Sequence, residues 1–149
     1  MRAVVQRVNS AAVDVQDHTV GAITAGLLVY LGVERSDSAE QATWMAQKIA
    51  GLRIFSDETD RMTLAATDVN AQVLVVSQFT LYGDVRRGRR PSFERAAPPP
   101  EAQLRYEETC QALASLGLTV ATGQFRAHML VTAQVDGPVT ILIDSDKEF

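Results

Sequence analysis

Disulfide staples are the first thing this chain lacks. Its 149 residues include one cysteine, Cys110, so no intrachain bridge can form and stability must come from a buried core. A lone cysteine also fits a reducing compartment. Histidine is almost as scarce: His18 and His128 stand far apart, outside any metal-ligand spacing, and no metal or other cofactor is expected. Long apolar runs are missing. GLLVYLGV (26–33) is strand-sized, too short to span a bilayer, and MRAVVQRVNS at the start lacks the apolar centre of a secretory signal. The expectation is a cytoplasmic protein. There is no G-x-S-x-G, no Walker loop and no G-x-G-x-x-G, so neither a nucleophile elbow nor a nucleotide-cradling loop is visible. An excess of positive charge is absent too. Against 18 acids stand 14 Lys and Arg, for a net charge of −4, whereas a protein that coats nucleic acid nonspecifically is usually basic.

What is present suits one domain over residues 1–149. Hydrophobic residues make up 46% and charged residues 21%, ordinary for a globular chain. The positive charge is concentrated: Arg86, Arg87, Arg89, Arg90 and Arg95 fall within ten residues. Such a run is either a solvated loop or a local phosphate clamp on an acidic body, gripping one end of a nucleic acid rather than coating it.

Residues 2–16 read as one bent strand or two short ones, and LLVYLGV (27–33) as a buried strand. Ser38 with Gln41 predicts a capping box. Ala42, Met45, Ala46, Ile49 and Ala50 then share a helical face that ends near Gly51. LRIF (52–55) reads as a short strand. SDETDRMT (56–63) is a polar turn whose Asp57, Glu58 and Asp60 lack calcium-loop spacing. AQVLVVSQFTLYG (71–83) starts as an apolar strand and turns polar. A second helix follows the prolines at 98–100, with Tyr106, Cys110 and Leu113 on one face and Gly117 at its end; Cys110 reads as packed rather than reactive. Three strand-like pieces close the chain: LTVATG, RAHMLVTAQV and VTILID. About seven strands and two helices, without regular alternation, predict an α+β fold with mainly antiparallel sheets.

Two stretches invite chemistry. In SQFTLYGD (77–84), Ser77 and Thr80 either satisfy turn hydrogen bonds or line a polar pocket whose backbone amides stabilise an oxyanion. In VDGPVT (135–140), Gly137 and Pro138 interrupt two apolar runs. Pro138 has no N–H with which to continue a ladder, so the plain reading is a hairpin turn between the last two strands.

Taken together, SQFTLYGD, RRGRRPSF (86–93) and DGPVT (136–140) resemble the D-aminoacyl-tRNA deacylase family. VVQRV (4–8), GLLVYLGV (26–33), LRIFSD (52–57) and TGQFRAHM (122–129) match in order, so the resemblance runs nearly the full length. It implies a homodimer that hydrolyses the ester between a D-amino acid and the 3′ end of tRNA, in translation proofreading, on a barrel-like core of antiparallel sheets with two helices and without metal. It also implies site residues: Ser77, Gln78, Phe79 and Thr80 in the pocket, with the N–H groups of Phe79 and Thr80 as the oxyanion hole. Gly137 and Pro138 would form a cis pair reaching into the partner's active site. Their carbonyls would wall off an L-side chain, tolerate D-side chains broadly and admit glycine, so that selectivity is a built-in clash.

Arg7 is expected to support that pair and Met129 to contact the pocket. Arg86, Arg87, Arg89 and Arg90 are expected to hold tRNA phosphates. No base adjoins Thr80, so direct attack by water, helped by the ribose 2′-OH, is the expected chemistry. Two positions depart from the family pattern: Val135 where Asn is common and His128 where an acid is common. Rival readings are a related editing deacylase for other misacylated tRNAs and a non-catalytic dimeric RNA-end binder.

Overall fold

The computed structural model describes residues 1–148. They form, in order, β1 (Arg2–Val15), β2 (His18–Ile23), β3 (Gly26–Gly32), α1 (Ala39–Ala50), β4 (Phe55–Ser56), β5 (Met62–Leu64), β6 (Gln72–Ser77), a 3-10 turn (Phe79–Tyr82), α2 (Pro99–Ser115), β7 (Thr119–Thr122) and β8 (Leu130–Asp144). None of the helices is long and apolar enough to cross a membrane.

The main sheet runs β2-β1-β3-β6-β7, with β8 also paired to β1. It is mixed, which corrects the mainly antiparallel expectation. β1 pairs antiparallel with β2, β3 and β8, but β3–β6 and β6–β7 are parallel. A parallel neighbour needs a crossover connection. α1 lies on the β3-to-β6 connection, and α2 joins β6 to β7. The sheet also curls until its ends nearly meet. At Gly21 on β2 an added Cβ would lie 2.3 Å from the Thr122 carbonyl oxygen on β7, so a residue without a side chain is what permits the approach.

The two central strands bury both faces, as parallel strands under helices do. Leu27, Val29 and Leu31 of β3, with Val73 and Val75 of β6, join Met45, Ile49 and Leu113 of the helices in one core. Leu28, Leu74 and Val76 face the other way and pack with Val8, Val13 and Ile23. Each such side chain contributes about 1.5–3 kcal/mol on burial.

α1 starts as its sequence predicts. The Ser38 backbone N–H donates to Gln41 Oε1 at 3.0 Å, and the Glu40 N–H donates to Ser38 Oγ at 3.2 Å. Ala42, Met45, Ala46, Ile49 and Ala50 are its buried face. In α2 the prolines do more than precede the helix: Pro99 and Pro100 occupy its first turn, where no N–H is required. Buried Tyr106 donates from its hydroxyl to the Val75 carbonyl at 2.8 Å, tying α2 to β6. Burial pushes the Cys110 thiol up to about 11, so it is held protonated and inert.

Three expectations change. The strand expected over 52–55 shrinks to β4 and pairs only with β5. The segment before Leu130 is a loop, with Arg126 at φ +63° and the Ala127 N–H donating to the Gln124 carbonyl. The hairpin expected at 136–139 is absent as well. β8 runs antiparallel to β1 on both sides of Gly137-Pro138, with Val135 opposite Val8 and Thr140 opposite Gln6. The chain never reverses there. The residues between leave the ladder as an excursion opposite Arg7, because Pro138 has no N–H to donate.

Candidate active site

The parallel β3–β6 pair sets up the first motif. After four buried valine and leucine positions, β6 reaches half-buried Ser77. The Gln78 N–H still donates to the Leu31 carbonyl at 2.8 Å, holding the motif against β3. The chain then tightens into the 3-10 turn. The N–H groups that open such a turn have no partner inside it. Those of Phe79 and Thr80 meet no backbone acceptor among the described residues, which leaves two adjacent donors uncommitted. Gln78 Nε2 donates to Thr80 Oγ1. A carboxamide N–H cannot take up the hydroxyl proton, and no histidine or carboxylate hydrogen-bonds Thr80 among the described residues.

Beside this turn lies a cavity of about 710 Å³. Ser77, Gln78 and Phe79 line it from β6 and the turn, and Met129 lines it from the loop before β8. Met129 also packs against the second core cluster, so it is both a pocket residue and a core residue. Thr80 stands next to the lining, exposed. The opposite wall was not foreseen from the sequence: Phe93, the entry to α2 at Ala97–Pro99, and the loop from Phe125 to His128. Phe79 is 56% exposed and meets Phe93 edge-on at 5.0 Å between centroids. His128, whose orientation was open in the sequence, lies in the cavity wall. Val135, the other departure, packs against the second core cluster, so an apolar side chain suits that position.

The arginine run forms an arch. An isolated bridge between Asp84 and Ser92 closes its base, and Phe93 against Phe79 ties the base to the cavity. Arg86, Arg87, Arg89 and Arg90 are all exposed. Arg86 is already engaged: its Nη2 lies 2.6 Å from Asp84, which holds that carboxyl well below the usual range. Arg87, Arg89 and Arg90 have no carboxylate partner among the described residues. Arg95 leaves the cluster altogether, pairing with Glu34 and Glu148 and lying over Tyr82 at 5.6 Å.

The second motif is built differently. Gly137 and Pro138 are exposed on the excursion from β8 and contribute nothing to the cavity of their own chain. Their peptide bond is cis, the isomer that the resemblance implies. Gly137 has φ +112°, and a Cβ there would lie 2.8 Å from Val139 Cγ2, so any other residue is strained at this position. Arg7 stands behind it. Its Nη1 donates to the Ile54 carbonyl at 2.6 Å, and its Nε lies 2.7 Å from the Asp136 carboxylate. A Cβ on Gly137 would come within 3.3 Å of Arg7 Nη2. One guanidinium thus ties β1, the approach to β4 and the excursion together.

Known proteins resemble the chain along its whole length. The family model described as D-Tyr-tRNA(Tyr) deacylase matches residues 4–144. The D-aminoacyl-tRNA deacylase of Thermotoga petrophila is 58% identical over 149 residues, all of both chains. That of Clostridioides difficile is 54% identical over the same span. Among solved structures, one described as c-Myc DNA Unwinding Element Binding Protein is 38% identical, with a TM-score of 0.91 over 97% of this chain and 99% of that one. A probable eukaryotic D-amino acid tRNA deacylase, at 16% identity, shares the fold, with a TM-score of 0.84 over 95% of this chain and 97% of its own.

Proposed function

The chain belongs to the D-Tyr-tRNA(Tyr) deacylase family, and we infer from that membership that it is a D-aminoacyl-tRNA deacylase. Such a hydrolase cleaves the ester between a D-amino acid and the 3′-terminal ribose of tRNA. The observation that carries the reading is the pair of uncommitted N–H groups at Phe79 and Thr80, beside a cavity lined by Ser77, Gln78 and Phe79.

In this reading the acyl group sits with its carbonyl oxygen toward those two donors. Water attacks the carbonyl carbon and gives up a proton, the donors take the developing negative charge, and the bond to the ribose oxygen breaks as that oxygen takes up a proton, leaving the free D-amino acid. Preorganised donors of this kind typically account for about 10²–10³ in rate each. The ribose 2′-OH assists, and Thr80 forms no covalent intermediate, because an unactivated hydroxyl is a poor nucleophile. A test is to trap the reaction and weigh the protein: no acyl adduct on Thr80 is expected, and finding one overturns this step.

The remainder of the proposal concerns assembly. The chain acts as a single domain over residues 1–149, as a cytoplasmic homodimer. The exposed Gly137-Pro138 excursion of one subunit enters the cavity of the other, braced by Arg7, while Met129 contacts the acyl pocket. The carbonyls of the excursion exclude L-side chains, so D-amino acids of many kinds and glycine are accepted. Arg86, Arg87, Arg89 and Arg90 lie against phosphates of the tRNA end, with Arg87, Arg89 and Arg90 carrying most of that contact because Asp84 already neutralises Arg86. The decisive assay is deacylation of D- and L-tyrosyl-tRNA. Rapid release from the D-form alone is expected; release from both, or from neither, contradicts the reading.

A further inference from the structure

An acidic chain has left its cavity without acids. The net charge is −4, yet no Asp or Glu lines the 710 Å³ cavity, whose charged lining is Arg35 and Arg126. Beside it lies a second cavity of about 470 Å³, which shares Ala127 and His128 with the first and adds His18. It too has no carboxylate in its lining. The charged and titratable side chains of both walls are therefore arginine and histidine alone.

Like Arg87, Arg89 and Arg90 of the arch, these two arginines carry a charge that no carboxylate neutralises among the described residues. Arg2, Arg7, Arg86, Arg95 and Arg105 each hold a carboxylate. Arg35 and Arg126 have none among the described residues. Arg35 is oriented instead by a neutral group, its Nε donating to the Glu94 carbonyl at 2.7 Å, so its positive charge is aimed but not neutralised. Arg126 sits at φ +63°, a left-handed conformation that favours glycine over any residue with a β-carbon. A long cationic side chain stands where the backbone would be more comfortable with none. Such an outlier in a cavity wall points to a functional use of the side chain.

We propose that Arg35, Arg126 and His128, all in the lining of the first cavity, form a phosphate subsite there. It holds the phosphodiester on the 5′ side of the terminal nucleoside while the acyl group lies toward Ser77 and Phe79. Guanidinium forks suit phosphate oxygens better than any other side chain does, and an imidazole N–H adds a donor from the shared wall. The subsite rests on the deacylase reading for its ligand. It is separate from the arginine arch, none of whose residues Arg86, Arg87, Arg89 and Arg90 lines the cavity.

The test uses two hydrolysis-resistant amides on the full-length protein: 3′-deoxy-3′-(D-tyrosylamino)adenosine, and the same compound with a 5′-phosphate. Calorimetry gives both affinities, and hydrolysis of D-tyrosyl-tRNA is followed in parallel. The wild type is expected to prefer the phosphorylated amide by roughly tenfold or more, the scale of charge-assisted hydrogen bonds. In the Arg35→Gln, Arg126→Gly double variant that preference falls toward one. Glycine at 126 suits the local backbone, so the fold is retained. Single variants are expected to lose part of the preference each.

Equal affinities in the wild type, a preference that survives in the double variant, or no measurable binding of either amide would each overturn the subsite. If D-tyrosyl-tRNA is still hydrolysed in such a case, the deacylase reading stands without it. If D-tyrosyl-tRNA is not hydrolysed by the wild type, the deacylase reading fails, and the subsite fails with it.

Discussion

Ser77–Thr80 and Asp136–Val139 are both interruptions of a strand, yet one makes a hollow and the other a projection. β6 ends because its chain tightens into a 3-10 turn, and the ending leaves two N–H donors beside a cavity. β8 does not end. It pairs with β1 before and after Gly137-Pro138 and throws those residues outward. The hollow is lined by partly exposed aromatic and polar groups; the projection is rigidly braced by Arg7 and Asp136. A braced, exposed projection that adds nothing to its own cavity makes sense if another copy of the cavity receives it. On the proposed function, this difference divides the work between the two motifs: donors in the hollow, a wall on the projection.

The division is broken most severely from the hollow. Phe79→Pro removes one N–H at a position where a turn tolerates proline, and kcat for D-tyrosyl-tRNA is expected to fall about 10²–10³-fold. Phe79→Ala keeps the N–H and is expected to fall far less in the same assay; equal losses would assign the effect to the ring. From the projection, Gly137→Ala places a Cβ 2.8 Å from Val139 Cγ2 at φ +112°. It is expected to lower stability by about 1–3 kcal/mol in a denaturant titration and to narrow the ratio of D- to L-tyrosyl-tRNA hydrolysis.

Beside the hollow, replacing both Arg87 and Arg89 with alanine is expected to weaken tRNA binding and reduce the slope of log K against log salt by about two units. An unchanged slope removes the arch from the interface. The smallest effect lies behind the projection, in the β4–β5 turn that follows the Ile54 carbonyl held by Arg7. Hydrogen bonds from Thr59, Thr63 and the Arg61 backbone lower Asp57 from an ordinary 3.8 to about 2. Its stabilisation is present above 3.8 and is lost as pH falls through about 2. Asp57→Asn is expected to flatten the loss of stability across that window, read from acid unfolding curves.

Local signals were legible where one segment decides its own structure. The Ser38–Gln41 box and the buried stripe of α1 needed nothing beyond their spacing, and the polar turn at Asp57 likewise. The strand pairing was not legible in this way. Whether β6 runs with or against β3 depends on where α1 and α2 carry the chain, which apolar periodicity does not encode. Gly137-Pro138 read as a hairpin because a glycine-proline pair between two strands usually reverses the chain. Only the shared partner β1 reveals that it does not. The near half of the cavity was visible in SQFT, whereas Arg35, Phe93 and Arg126 come from distant segments with no motif of their own. His128 departs from the family pattern, but only the fold places it in the cavity wall.

The claim beneath all of this is that the projection of one subunit fills the hollow of another. It is tested by preparing two singly substituted proteins, Pro138→Cys and Phe79→Cys, mixing them and treating the mixture with a short bismaleimide. A covalent product of twice the chain mass, joined through those two positions and formed only when both variants are present, is the predicted result. Chains that stay single, or that couple no better than either variant treated alone, would contradict it.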